Sequence, residues 1–280
     1  MCYRIIIDSS GELTESLKKD GHFENIPLTL CVDGKDYIDD ESFDQAEFLK
    51  DVAESPNVPK SACPSPDRYL QAFLKTEAKR IYVITLSAEL SGSYNSACIA
   101  KEMYEEDYND KQIAIFNSKS ASIGQTLIGI YIHEKEKRGA SFEEIVENVQ
   151  KYTDSMKTFF VLENLETLRK NGRMSKMKAM AANALNIKPV LGSTDDGNIC
   201  MLDQARGINK AIDRIAQKIL AKVGDAKDIT LAISHCNCVE RAMELKAKLE
   251  ASGKFKEIIV CNTRGISSMY ANQGGIIVAV

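Results

Sequence analysis

The stretch Thr85-Leu86-Ser87-Ala88-Glu89-Leu90-Ser91-Gly92-Ser93-Tyr94-Asn95-Ser96-Ala97 decides how this chain is read. Before it runs Ile81-Tyr82-Val83-Ile84, a short apolar run that reads as a buried strand. After it, Ala97, Ala100, Met103 and Tyr104 fall at helical spacing. The chain therefore leaves a strand, turns through serines and a glycine, and opens a helix. The first turn of a helix has backbone N–H groups without partners and a partial positive charge. Hydroxyls and a glycine packed there suit a small anionic group. We expect this turn to hold the acidic head of a ligand, with a pocket built behind it.

The same unit recurs on both sides. Residues 4–8 form an apolar strand ending in Ser9-Ser10-Gly11, with a helix from about Glu12. Residues 111–116 form another, ending in Asn117-Ser118-Lys119-Ser120-Ala121-Ser122, with a helix over 124–137. Between them, residues 25–32 read as a strand, and Asp33-Gly34 as a hairpin turn into residues 35–38. Residues 44–54 and 67–75 read as helices. Residues 55–66 contain Pro56, Pro59, Pro64 and Pro66, which exclude regular helix or central strand and predict a linker or a rigid extended arm. Phe142, Ile145, Val146, Val149 and Tyr152 mark an amphipathic helix. Strands alternating with helices imply a mostly parallel sheet with helices on both faces. Ligands of such sheets sit at the carboxyl ends of the strands, where the three serine-rich exits would meet.

The second half has another rhythm. Thr194-Asp195-Asp196-Gly197-Asn198 separates two apolar runs as a hairpin, a long helix follows through Ile208 to Ile219, and residues 229–261 read as β-α-β. We expect an α/β fold in two domains. Residues 1–156 would form the N-terminal domain with the head-group site, and 157–280 a smaller, mixed α/β C-terminal domain, with the ligand between them.

A 44% apolar and 27% charged composition is that of a globular protein, and a net charge of −4 without a Lys/Arg stripe argues against nucleic acid. No apolar run approaches a membrane span, and Met1–Ile5 lacks a signal-peptide pattern, so a cytoplasmic protein without integral membrane contact is expected. Eight scattered cysteines read as reduced thiols. Walker A and dinucleotide fingerprints are missing from every strand exit, which argues against nucleotides.

Serines at strand exits are also ordinary helix caps. Ser91 or Ser93 could instead be the nucleophile of a serine-dependent hydrolase or transferase acting on a small anionic substrate. That chemistry needs a positioned base. Of the histidines, His22 reads as part of a polar turn and His133 as part of a charged helix tail, both solvated, leaving His235 at a strand exit. His235-Cys236-Asn237-Cys238 is too tight for a usual zinc site, and no metal is expected. Met174, Met177 and Met180 lie three apart and read as helix core or as an adaptable lining for an apolar ligand. The surrounding Arg169, Lys170, Arg173, Lys176 and Lys178 read as a solvated face or a docking patch for an acidic partner.

An ordered set of motifs resembles the DegV family of fatty-acid-binding proteins over essentially the whole chain. It comprises Ile7-Asp8-Ser9-Ser10, Ile26-Pro27-Leu28, Ser61-Ala62-Cys63-Pro64-Ser65-Pro66, the stretch over 86–96, Asn117-Ser118-Lys119-Ser120-Ala121-Ser122, Asn171-Gly172-Arg173-Met174-Ser175-Lys176, Asn186-Ile187-Lys188-Pro189 and Ala205-Arg206-Gly207. The resemblance implies a two-domain α/β protein that holds one long-chain fatty acid between its domains. It also implies a partner fatty-acid kinase, which phosphorylates the bound carboxylate for phospholipid synthesis; the carrier has no catalysis or cofactor of its own. Exchange of lipid at a membrane surface would be transient.

The family's carboxylate contacts fall on Ser61, where the family has Thr, and on Ser91 of Leu-Ser-Gly, with Gly92 and Ser93 beside it. The family's His near the C-terminus falls on Tyr270, a neutral phenol that can still donate to a carboxylate. Arg173 and Arg206 fall on basic positions associated with the kinase partner, and Met174, Met177 and Met180 on the tail side.

Overall fold

The structure, a computed structural model, describes residues 2–174, 186–223 and 226–280. In chain order, the first part contains β1 (Tyr3–Asp8), α1 (Glu15–Asp20), β2 (Phe23–Ile26), β3 (Thr29–Val32), β4 (Lys35–Ile38), α2 (Gln45–Glu54), β5 (Lys60–Ala62), α3 (Pro66–Lys75), β6 (Arg80–Thr85), α4 (Ser93–Asp107), β7 (Gln112–Asn117), α5 (Ile123–Lys137) and α6 (Phe142–Ser155). The rest contains β8 (Thr158–Val161), α7 (Glu166–Lys170), β9 (Ile187–Ser193), β10 (Ile199–Arg206), α8 (Ile208–Lys222), β11 (Ala226–His235), α9 (Val239–Glu250), β12 (Phe255–Asn262), α10 (Gly265–Ala271) and β13 (Ile276–Ala279).

A parallel sheet in the order β2-β1-β6-β7 matches the expected α/β unit. Its central strands are continuous apolar runs because both faces are covered. Ile6, Ile81 and Val83 meet Tyr69 and Phe73 of α3 and Ala97 and Tyr104 of α4 on one face. Ile5, Ile7 and Ile84 meet Leu127, Ile128 and Ile132 of α5 on the other.

The strand expected over residues 25–32 is two strands. Pro27 has no N–H to give a sheet, and the chain changes partners there. β2 stays beside β1, while β3 founds a separate antiparallel sheet in the order β4-β3-β5. The hairpin at Asp33 and Gly34 forms as read, with φ of 48° and 83°, the pair of left-handed residues that a tight two-residue hairpin needs. The proline-rich segment is an arm: its centre, β5, is an edge strand that pairs Ser61 with Leu30.

The third sheet is mixed, in the order β10-β9-β8-β13-β11-β12. α8 and α9 cover one face through Ile212, Ile215, Leu245 and Leu249. α5 lies against the other, since it also touches β11 and β13. Every residue from Ile123 to Gly129 is buried, which is how a helix enclosed on all sides reads. Gly129 permits its close approach, because a Cβ there would stand 2.9 Å from Ile7 Cδ1. The strands of the first sheet all precede α6 and those of the mixed sheet all follow it. No helix among the described residues is long and apolar enough to cross a membrane.

Candidate functional site

Four elements bring polar groups to one pocket of about 250 Å³. β5 supplies Ser61, the turn after β6 supplies Ser91 and Gly92, α10 supplies Tyr270, and the segment after α7 supplies Arg173; Leu28, Leu86, Leu90 and Ile266 complete the wall. Ser61 Oγ lies 3.4 Å from the Tyr270 hydroxyl. Ser91 Oγ accepts from the Ser93 N–H at 3.2 Å. Gly92 caps α4 without a side-chain bond of its own; the first amide, that of Ser93, is taken by Ser91 Oγ, and the amides that follow in the first turn are the ones a helix leaves without intrahelical partners.

The sequence puts Arg173 on a solvated basic face or a partner-docking patch. The structure places it in the pocket wall. Its Nε donates to the Leu90 carbonyl at 3.3 Å and another nitrogen donates to the Asn171 carbonyl. Asn171 in turn donates to the Pro59 carbonyl at 2.9 Å, tying this turn to the proline arm. A fixed cation thus stands beside hydroxyls and helix-end amides, a combination that favours a carboxylate.

Leu86, Leu90, Arg173, Ile266 and Tyr270 also line a second cavity of about 100 Å³. Its other walls include Phe160, Leu162, Leu168, Ile199 and Ile277, from β8, the α7 region, β10 and β13. The polar pocket therefore shares a wall with an apolar one built by both halves of the chain. Met174 packs against the Phe160–Leu162–Leu168 cluster; Met177 and Met180 lie outside the described residues. Arg206 is exposed at the end of β10 and lines neither cavity.

The serine-rich exits do not all converge on a ligand. Ser93 is fully buried and donates to Asp8 Oδ2 at 2.5 Å, with the Tyr69 hydroxyl 2.7 Å from its Oγ. Ser9 donates to Asp39 Oδ2 at 2.9 Å, and Ser118 to the Ser120 carbonyl at 3.0 Å. Ser122, in the wall of the inner cavity with Ser10 and Ser120, donates to Glu12 at 2.8 Å. These hydroxyls serve three buried carboxylates and the loop backbone. Burial raises Asp8 above the usual carboxylate range, against hydrogen bonds from Gln125 and Ser93. Burial likewise pushes Glu12 up to about 7 and Asp39 up to about 6.

Asp39 also fixes α10. The Ile266 N–H donates to its Oδ2 at 2.9 Å, and a Cβ on Gly265 would lie 2.1 Å from Asp39 Cγ. Gly265→Ala is expected to cost about 2 kcal/mol of stability through overpacking and to displace Tyr270. Denaturant unfolding compared with wild type checks it; an unchanged midpoint would show that α10 has room to slide.

No histidine lines either cavity among the described residues, so Ser91 has no imidazole base beside it. His235 is buried, its Nδ1 accepting from the Cys238 N–H at 3.3 Å. The expectation that His133 is solvated is corrected: it is 7% exposed, because α5 carries it against Tyr3 and Phe23. His22 is half-buried, stacked on Tyr3. All eight cysteines are free thiols.

Fold and site define an α/β protein with a polar pocket adjoining an apolar cavity between a parallel and a mixed sheet. The family model described as "Uncharacterised protein, DegV family" matches residues 3–280, and the chain belongs to that family. It is 33% identical over 279 residues to a DegV domain-containing protein of Streptococcus pneumoniae serotype 4, covering 99% of this chain and 98% of that one. A DegV-family structure from Ruminococcus gnavus, refined with vaccenic acid, is similar at 50% identity and a TM-score of 0.97, covering 100% of this chain and 99% of its own. The Streptococcus pneumoniae Fatty Acid Kinase (Fak) B3 protein, loaded with linoleic acid, is similar at 31% identity and a TM-score of 0.89, covering 100% of this chain and 99% of its own.

Proposed function

We propose that this protein binds one long-chain fatty acid between an N-terminal domain of residues 1–156 and a C-terminal domain of residues 157–280, and presents it to a fatty-acid kinase. The observation that carries the reading is that the Ser61–Ser91–Tyr270 pocket shares five wall residues, Leu86, Leu90, Arg173, Ile266 and Tyr270, with an apolar cavity walled from both halves. The fatty acids in the Ruminococcus gnavus and Streptococcus pneumoniae structures support it, as does the kinase in the latter's name. Apolar burial supplies affinity, at about 0.8 kcal/mol per CH₂ before ordering costs. Ser61, Ser91, Tyr270 and the amides after Gly92 orient the carboxylate, and Arg173 neutralises it. Ser93 acts one step back, holding the α4 turn against Asp8. Met174 belongs to the tail side, and the exposed Arg206 to the surface that meets the kinase. The carrier supplies no cofactor; the kinase supplies the phosphoryl chemistry.

Hydrogen bonds to a charged group contribute about 1.5–3 kcal/mol each. Ser61→Ala with Ser91→Ala is therefore expected to weaken hexadecanoate binding about 100-fold while leaving hexadecanol binding nearly unchanged. Titration of both ligands checks it. Equal affinity of the double variant and wild type for hexadecanoate would remove the carboxylate from this mouth.

A further inference from the structure

Tyr3 begins β1, at the end of the strand away from Asp8 and the two cavities. Asp20, His22 and His133 meet there, two of the three histidines of the chain around one carboxylate. Asp20 ends α1, Gly21 turns the chain with φ of 82°, and His22 precedes β2. His22 Nδ1 lies 2.7 Å from Asp20 Oδ1, and His133 Nε2 lies 3.4 Å from Asp20 Oδ2. One ligand atom from each residue lies within 4.8 Å of the other two, the one such cluster found among the described residues.

The rings are held in place. His22 stacks on Tyr3 with centroids 4.3 Å apart, and His133 packs on Phe23 at 5.3 Å. The Tyr3 hydroxyl lies 2.9 Å from His133 Nδ1, which engages one ring nitrogen and presents the other to Asp20. Metal-bound histidines are oriented in this way, with the far nitrogen donating to a neighbouring acceptor. Two cations stand near. Lys137 Nζ is 3.9 Å from Asp20 Oδ2 but largely exposed and free to withdraw, and Arg4 donates to the Gly21 carbonyl at 2.7 Å.

We propose that Asp20, His22 and His133 form a binding site for one divalent transition-metal ion, with Zn²⁺ the best fit. Two imidazoles and a carboxylate suit zinc, whereas magnesium and calcium favour all-oxygen sets. Three protein ligands leave a fourth position for water. The ion enters between His22 Nδ1 and Asp20 Oδ1, replacing their direct contact, and His22 coordinates as the neutral imidazole with its N–H on Nε2. It clips the α1–β2 turn to α5, far from the lipid pocket, so it acts on the frame and not on the ligand.

The test uses full-length protein stripped with a chelator and titrated with Zn²⁺, followed by calorimetry and melting, and with Co²⁺ as a spectroscopic probe. One ion per chain, a raised melting temperature and a Co²⁺ spectrum without a thiolate band are expected. His22→Gln is expected to weaken binding at least tenfold, and Tyr3→Phe about tenfold, both variants still folded; Cys2→Ser leaves binding intact. The proposal is overturned by the lack of stoichiometric uptake at micromolar Zn²⁺. It is equally overturned by uptake that survives His22→Gln, or by a thiolate band that vanishes with Cys2→Ser.

Discussion

Ala121→Phe is expected to abolish binding of a sixteen-carbon fatty acid while leaving the protein folded. Ala121 sits between Ser120 and Ser122 just before α5, is only partly buried, and lines the inner cavity. A phenyl ring there fills a space of about 100 Å³. Excluding about six methylenes from burial removes on the order of 5 kcal/mol, more than a thousandfold in affinity. Octanoate, short enough on this reading to remain in the outer pocket, is expected to lose far less. Titration of wild type and variant with both acids reads the difference. A parallel loss for both chain lengths would mean that the tail takes another path.

Stability is expected to fall as pH rises from about 4.5 to 7, and Glu12→Gln to flatten that fall. Burial raises the Glu12 carboxyl from 4.5 to about 7. Below the lower value both folded and unfolded chains hold the proton, so burial of the neutral acid carries no ionisation penalty. Between the two values the unfolded chain releases the proton first. The fold loses stability until its own Glu12 ionises, a difference of about 3 kcal/mol in all. For a chain of this size that corresponds to a melting shift on the order of 5–10 °C. Asp39, raised from 3.8 to about 6 by burial, adds in the same direction at the acidic end of the window. Paired surface carboxylates oppose the trend, so the informative quantity is the gap between wild type and Glu12→Gln across pH. A constant gap would show that Glu12 does not titrate between pH 4.5 and 7.

Much of the frame is legible in the residues because the patterns are strong. The runs that became β1, β6 and β7 are apolar since parallel strands are covered on both faces. The helix read from Phe142 onward forms with a capping box between Ser141 and Glu144, a signal visible in the sequence itself. The split at Pro27 lay hidden inside an apolar run whose length fits one strand. α10 was missed because Gly265, Ser267 and Ser268 are poor helix formers; burial of Ile266 and Met269 against Leu28, Leu30 and Phe48 overrides that preference.

The site was legible in part. Serine-rich exits pointed to the end of the sheet where the two cavities lie, but local sequence does not distinguish Ser91, which lines the outer pocket, from Ser93, which donates to Asp8. Ser61 and Tyr270 were placed by family resemblance, since no spacing rule links residues that meet only across two sheets. Arg173 looked like one lysine or arginine among several; its role depends on Leu90 and Asn171 carbonyls that only the fold brings to it.

α5 is a single beam shared by two floors. Drawing the parallel and mixed sheets apart would uncover Leu127, Ile128 and Ile132 from Ile5 and Ile84 on one side and from Ala232 and Ala279 on the other. Parting the two sheets around a ligand would therefore cost the burial of this helix. On the proposed function, the tail is then expected to thread past the proline-braced strand at Ser61, so that loosening this three-residue strand would speed exchange.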